Sequence, residues 1–234
     1  MSSYDQWLKD EEEWIGAYCK KTLRMSLFQV IPAMLLILPL LFAGLSLAGG
    51  SSREDMYYCA LGGLLAGLIV GGFYYLILRI GLRPKAYVRK IRKSVEALSL
   101  SKVECEALGE EMRKAQADAA SCLSYKVTGP NAKGTPARFT LTPHYAFLAG
   151  SYPYSILIRL SDIEEIRAGQ EQKTAVTRRA KSKTLHVFTL YTIGFYAKDR
   201  GKETLPQEAM GFFDESIRSR ILRMMREAGA PVKP

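Results

Sequence analysis

The chain has 234 residues, 48% of them hydrophobic, and 33 Lys and Arg against 23 Asp and Glu give it a net charge of +10. Its mean hydropathy of −0.04 averages two unlike regions: an apolar start, and a remainder of about 150 residues that suffices for one soluble domain with a real core. With four dispersed cysteines, no Cys-x-x-Cys pair and two histidines, there is no basis for a zinc centre or a disulfide framework, and free thiols in a reducing compartment are expected.

Residues 1–24 read as a cytosolic leader. Trp7, Leu8, Trp14, Ile15, Tyr18 and Leu23 recur at roughly helical intervals, as in an amphipathic helix lying along the bilayer interface. The acidic run Asp10, Glu11, Glu12, Glu13 weakens attraction to anionic lipid, so packing on the soluble domain is an equal account. Cys19 occupies a juxtamembrane position of the kind sometimes acylated.

Residues 25–80 are expected to form a transmembrane hairpin, with spans at 27–47 and 56–78 that contain no charged residue. A hydrocarbon core of roughly 30 Å needs about 20 helical residues, and both runs meet that length. Arg79, Arg83, Lys85, Arg89, Lys90, Arg92 and Lys93 follow the second span, Lys20, Lys21 and Arg24 precede the first, and the loop between holds Arg53 alone. Basic residues resist translocation, so both termini are expected in the cytosol, with the hairpin in the cell's inner (plasma) membrane. The first run is too long, and its leader too acidic, for a cleaved signal sequence.

Within the second span Gly63, Gly67 and Gly71 form a four-residue ladder, and Gly44 and Ala48 repeat that spacing in the first. Close backbone approach over small residues is a main source of helix association in lipid. The partner of this face is either the other span or a second copy, and glycine is also simply common in membrane helices. Pro32 and Pro39 predict a bend near Leu35 or Leu36. Intramembrane ionisable residues usually mark an ion pathway; their absence from both spans argues against a pore or transporter made by this hairpin alone.

Residues 83–119 are expected to be a helical connector. Tyr87, Val88, Ile91, Val95 and Leu98 keep helical spacing with basic residues on the other faces, and Ser101 with Glu104 forms a capping box for a second helix. From residue 121 the period changes to two. Short strands are expected at 122–128, 138–142, 145–149, 155–160, 163–168, 185–191 and 193–197, with breakers between them. An amphipathic helix with the apolar stripe Met210, Phe213, Ile217, Ile221, Met224, Met225 is expected over 206–228, and 229–234 is a tail.

Antiparallel strands followed by one amphipathic helix, with the words Thr140-Leu141-Thr142-Pro143-His144-Tyr145-Ala146-Phe147 and Ile158-Arg159-Leu160-Ser161-Asp162-Ile163-Glu164-Glu165-Ile166, resemble the strand pairs of bacterial membrane-anchored PH-like (pleckstrin-homology-like) domain proteins. The resemblance covers roughly residues 121–228. It implies an α+β membrane protein: a two-helix transmembrane hairpin, a helical connector and a PH-like antiparallel β-roll capped by a C-terminal helix. Eukaryotic members of that family often bind phosphoinositides through a basic loop between the first strands. Here the corresponding hairpin, 129–136, holds only Lys133.

Lys173, Arg178, Arg179, Lys181 and Lys183 form a second basic cluster, expected in a long loop and, like Arg83 to Lys93, a candidate contact for anionic lipid. It has no interleaved aromatics, which ranks lipid or an acidic protein above nucleic acid. No catalytic, cofactor or metal residue is assigned: the 129–135 loop lacks the Gly-Lys-Ser/Thr ending of a phosphate loop, and His144 and His186 have no carboxylate partner at helical spacing. The leading expectation is a non-enzymatic membrane protein whose PH-like domain binds a protein or assembles with itself at the inner leaflet. The alternative is an anionic-lipid sensor, and a subunit of a pore or transporter ranks lower.

Overall fold

The computed structural model describes residues 1–50, 52–129, 134–151, 154–179, 182–197 and 208–233, with the backbone alone at 151, 154, 175–179, 182–184 and 186. The chain divides into two units, Glu13–Ala86 and Met1–Glu12 with Tyr87–Pro234.

In the first unit, helix α1 (Ser3–Met25) continues through a π-helical stretch, Ser26–Val30, into α2 (Ile31–Ala48). Pro32 explains the stretch. It has no N–H for the Phe28 carbonyl, and its ring crowds that group. The ladder widens to i→i+5, with the Ile31 N–H donating to the Ser26 carbonyl. The backbone irregularity therefore falls earlier than the expected bend at Leu35–Leu36, while Pro39 is carried inside a continuing helix.

Helix α3 (Arg53–Gly81) starts before the apolar run does. Ser52 caps it: its hydroxyl accepts from the Asp55 N–H at 3.2 Å, and the Asp55 carboxylate accepts from the Ser52 N–H at 3.2 Å. Both helices are long and apolar enough to cross a membrane, and they expose Leu36, Leu40, Leu45, Ile69, Phe73 and Ile77 rather than burying them. An exposed apolar surface of this extent is what a lipid-facing helix presents.

The second unit begins its folded chain with the N-terminal turns of α1 and resumes in α4 (Pro84–Ala97) and α5 (Lys102–Ala117), the latter capped by Ser101 and Glu104. Strands β1 (Cys122–Lys126), β2 (Pro136–Leu141), β3 (Tyr145–Ser151) and β4 (Tyr154–Arg159) form an antiparallel meander in that order. Strands β5 (Ile163–Arg179), β6 (Ser182–Ala197) and β7 (Glu208–Phe212) form a second. Helix α6 (Glu215–Glu227) follows, its first turn capped by Asp214, which accepts from the Ser216 N–H at 2.8 Å. Gly229 then takes a φ of +76°, a left-handed turn that suits glycine. Past it the chain returns to pair Val232 with Ile166.

Two cores share β3. Ala146 and Leu148 join Phe139, Ile158, Ile166, Ile193, Phe195, Met210 and the Ile221–Met225 face of α6. Tyr145, Phe147 and Ala149 point to the opposite side, where they meet Trp7 and Leu8 of α1, Val88, Ile91 and Val95 of α4, and Leu108 and Met112 of α5. That is why 145–149 reads as a continuous apolar run, the pattern of a strand covered on both faces.

The second sheet departs from expectation in three ways. The segments 185–191 and 193–197 are one strand, β6. The stretch around Lys173 is not a loop but the outer half of a long β5–β6 ribbon, in register from Ala168 opposite Ile193 to Arg179 opposite Ser182. β-Branched residues favour the pleated backbone there despite the charges. Finally, 208–212 is strand β7 rather than the start of a helix, because Met210 and Phe212 alternate into the first core while α6 awaits the Asp214 cap.

Candidate functional site

The described chain gathers its functional groups in three places: a helix seam, a buried carboxylate and an exposed ribbon.

The seam lies between α2 and α3. Gly63, Gly67 and Gly71 are buried. A Cβ at Gly63 would stand 2.8 Å from the Leu38 carbonyl and the Pro39 Cα, one at Gly67 would meet Leu35 Cδ2 at 3.2 Å, and one at Gly71 would meet Ile31 Cγ2 at 3.4 Å. The glycine ladder is therefore occupied within the chain by the ladder Ile31, Leu35, Pro39. Gly44 and Ala48 do not share in it: both are exposed, and a Cβ at Gly44 would meet nothing within 4 Å. Bulk decides this register, because a glycine groove is filled better by Ile, Leu and Pro than by another small residue.

The carboxylate is Glu11, with 0% exposure. Its Oε1 accepts from Arg138 Nη2 at 2.6 Å, Gln116 Nε2 at 2.7 Å and Trp7 Nε1 at 3.2 Å, and its Oε2 from the Tyr87 hydroxyl at 2.9 Å. These donors come from β2, α5, α1 and α4, so one acidic side chain ties every layer of the second core together. Burial and the neighbouring Glu11 charge both push the Tyr87 hydroxyl well above its ordinary value, which keeps it a donor at any physiological pH. Around this centre Arg113 pairs with Asp10 at 3.2 Å, Ser94 Oγ donates to the Ser155 carbonyl at 2.8 Å, and the bare Cα of Gly109 admits the Tyr4 backbone, which a Cβ would approach to 2.4 Å.

The ribbon is the part of β5 and β6 beyond β7. β7 pairs with β6 only over Tyr191–Phe195; among the described residues no strand pairs with that edge of β6 from Ser182 to Leu190, and the ring of Phe213, next after β7, lies against that of Phe188 with centroids 5.6 Å apart. Leu185 and Val187 are each 66% exposed and share one face of the ribbon, opposite Val176 and Thr174. Lys173 is exposed and pairs with Glu171 at 2.5 Å. The register sets Arg178 opposite Lys183 and Arg179 opposite Ser182, and Lys181 lies outside the described residues.

Of the other basic candidates, Arg83, Lys85, Arg89, Arg92 and Lys93 are exposed and Lys90 is half-buried. On α4 Arg89 and Lys93 lie on the side away from Val88, Ile91 and Val95, with Lys85 and Arg92 flanking that buried stripe. Lys133 of the 129–136 hairpin is outside the described residues. His144 pairs with Glu111 at 2.6 Å on the surface. Cys19 is buried, and Cys59, Cys105 and Cys122 are half-buried thiols. A cleft between β1 and the start of α6, lined by Tyr125, Val127, Phe212 and Ile217, holds about 10 Å³, room for one water at most.

Neither a family model, a curated protein nor a solved structure matches this chain.

Sequence reasoning placed Glu11 in an acidic run and missed its burial. The signal was present: Trp7, Glu11, Ile15 and Tyr18 fall on one helical stripe, and a lone carboxylate in an apolar stripe needs a buried donor. The ribbon was hidden by its charges, which resemble those of a solvated loop.

Proposed function

We propose that this is an integral membrane protein whose PH-like domain serves as a non-enzymatic docking module, held at the inner leaflet by the two apolar helices with both termini in the cytosol. The basic flanks of the helices favour that orientation. Two antiparallel meanders of four and three strands followed by α6 fit the PH-like layout that the sequence words suggest.

The observation that carries the docking role is the β5–β6 ribbon. A two-stranded ribbon is marginal in water by itself, yet this one presents two apolar side chains and an open strand edge. Such a surface suits a protein that adds to it. Crosslinking in native membranes is expected to return the chain in a complex that is lost when Leu185 and Val187 are replaced by lysine. Recovery as a monomer with no co-purifying partner would overturn the reading.

The exposed basic side of α4 favours a second reading, an anionic-lipid sensor in which Arg89, Arg92 and Lys93 meet headgroups at roughly 1 kcal/mol each. Amide exchange over 84–97 in nanodiscs is then slower with anionic than with neutral lipid, and the difference fades with salt. Exchange rates indifferent to both lipid and salt would dismiss it.

A further inference from the structure

Resting on the membrane placement proposed above, we infer that the α2–α3 hairpin holds one zwitterionic glycerophospholipid, its phosphate at Arg53, its ammonium at Glu54 and an acyl chain in an open groove beside the glycine seam.

The groove measures about 580 Å³ and is walled by the hairpin alone, within the range of about 300–1,000 Å³ usual for ligand sites. Leu35 and Pro39 of α2 and Ala60 of α3, each half-buried, form its floor. Leu64 lines it further in, and the exposed rings of Tyr57 and Tyr58 stand at the end nearest the loop between the helices. Its cause is local. Gly63 and Gly67 bring the α2 backbone close, and Ala60, the next small residue along α3, leaves the flank of that contact unfilled.

The depth suits a lipid chain. Tyr57 to Leu64 covers about 10 Å at 1.5 Å per residue, two-thirds of the roughly 15 Å of hydrocarbon that one leaflet contributes. A second helix, about 10–12 Å across with its side chains, needs small residues on the facing surface to come close in lipid. Tyr57, Tyr58 and Leu64 hold it off, whereas a single flexible chain fits between them.

The charges above the groove select the headgroup. Arg53 stands one turn before Tyr57 and Glu54 one turn before Tyr58 on α3, each at the (i, i+4) spacing that makes helix neighbours. Both charged residues are exposed. Asp55 is engaged elsewhere: its carboxylate accepts from the Ser52 hydroxyl at 2.7 Å and the Ser52 N–H at 3.2 Å in the helix cap. One cation and one anion side by side therefore meet the lipid where its chain leaves the hydrocarbon. The guanidinium forks onto phosphate, and the Glu54 carboxylate takes the ammonium. An anionic headgroup would set its own charge against Glu54 with no ammonium between.

The test places the full chain in bilayers of mixed phosphatidylethanolamine and phosphatidylglycerol. A trace of phosphatidylethanolamine carries a diazirine on its acyl chain, and mass spectrometry maps the photolabelled residues. Leu35, Ala60 and Leu64 should be labelled several-fold above Ile37 and Leu41, which are 55% and 52% exposed and lie at matching depth on the far side of α2. Moving the diazirine to phosphatidylglycerol should lose that excess, and Glu54→Gln should restore it. Arg53→Gln should lower the excess with either lipid. Ala60→Trp fills the floor and should bring the groove down to the level of Ile37 and Leu41, whose own unchanged labelling shows the hairpin still in the bilayer. The inference is overturned if groove and far side are labelled alike, if phosphatidylglycerol labels the groove as strongly, or if Ala60→Trp leaves the excess in place. An unlabelled groove beside a labelled far side also overturns it, since another protein's helix then covers the site. These outcomes leave the membrane placement standing. Absence of label from Ile37 and Leu41 as well would remove the placement and the lipid site together.

Discussion

The α2–α3 seam and the Glu11 cluster join helices by opposite means. In the seam three glycines admit Ile31, Leu35 and Pro39, and the atoms that face the glycines are backbone and apolar side-chain atoms. In the cluster a fully buried carboxylate collects donors from α1, α4, α5 and β2. The difference is what the proposed membrane setting of α2 and α3 would produce. Apolar side chains gain almost nothing by leaving lipid for one another, so contact between backbones must supply the attraction. In water the apolar faces of α1, α4 and α5 associate unaided, and an ion pair adds direction: it fixes which turn of each helix meets which strand.

The strongest way to break the comparison is at Glu11. Replacing it with alanine takes from Arg138, Gln116, Trp7 and Tyr87 the buried carboxylate they share, and breaking a buried pair costs about 3–5 kcal/mol, so the melting temperature followed by near-ultraviolet circular dichroism should fall accordingly. Glu11→Leu with Arg138→Met should recover most of that loss if the pair supplies direction rather than stability; no recovery would assign it a stabilising role.

The seam predicts a graded series. Gly63→Ala forces a Cβ to 2.8 Å from backbone atoms that have nowhere to go, an overpacking of about 1–3 kcal/mol. Gly71→Ala meets the Ile31 side chain no closer than 3.4 Å, and Gly72→Ala meets nothing within 4 Å. Unfolding in detergent should rank Gly63 first and Gly72 last; equal effects at all sites would mean the helices part easily and the glycines answer to lipid instead.

Smaller effects lie at the capped and paired ends. Asp214→Ala removes the acceptor for the Ser216 N–H and should cost α6 about 1 kcal/mol, read from the melt. Hydrogen bonds from Arg167 and Lys233 hold the Glu165 carboxyl down to about 2 from its ordinary 4.5. Because the folded value is the lower one, the stabilisation is complete above pH 4.5 and is lost as pH falls toward 2. Glu165→Gln should flatten the fall in melting temperature across that window, and an unchanged slope would place the acid sensitivity elsewhere.

Periodicity made much of the architecture legible. The two apolar helices, the capping box of Ser101 and Glu104 at α5 and the strands 122–160 stand near where the sequence puts them, since one physical signal governs each. The second sheet was less legible because two signals competed there: β-branched Thr and Val favour a strand, while Lys and Arg imitate a loop. Tertiary pairing with β6 settles that contest, and pairing is invisible in a local window. The glycine face was evident, but its partner was not, because spacing reveals which residues are small and not which bulky residues fill the groove.

The first twelve residues and those from Tyr87 onward close one core, and that has a consequence for biosynthesis. Arg138 is 127 residues behind Glu11, which at 5–20 residues per second is a delay of roughly 6–25 s. During that interval Trp7, Leu8 and Glu11 have been made but have no sheet to join, while the two apolar helices are already emerging. Until β2 and β3 appear, the face that Trp7 and Leu8 bury in the finished core has no partner. The first turns of α1 are thus among the earliest parts of the chain to be made and among the last to find the core that holds them.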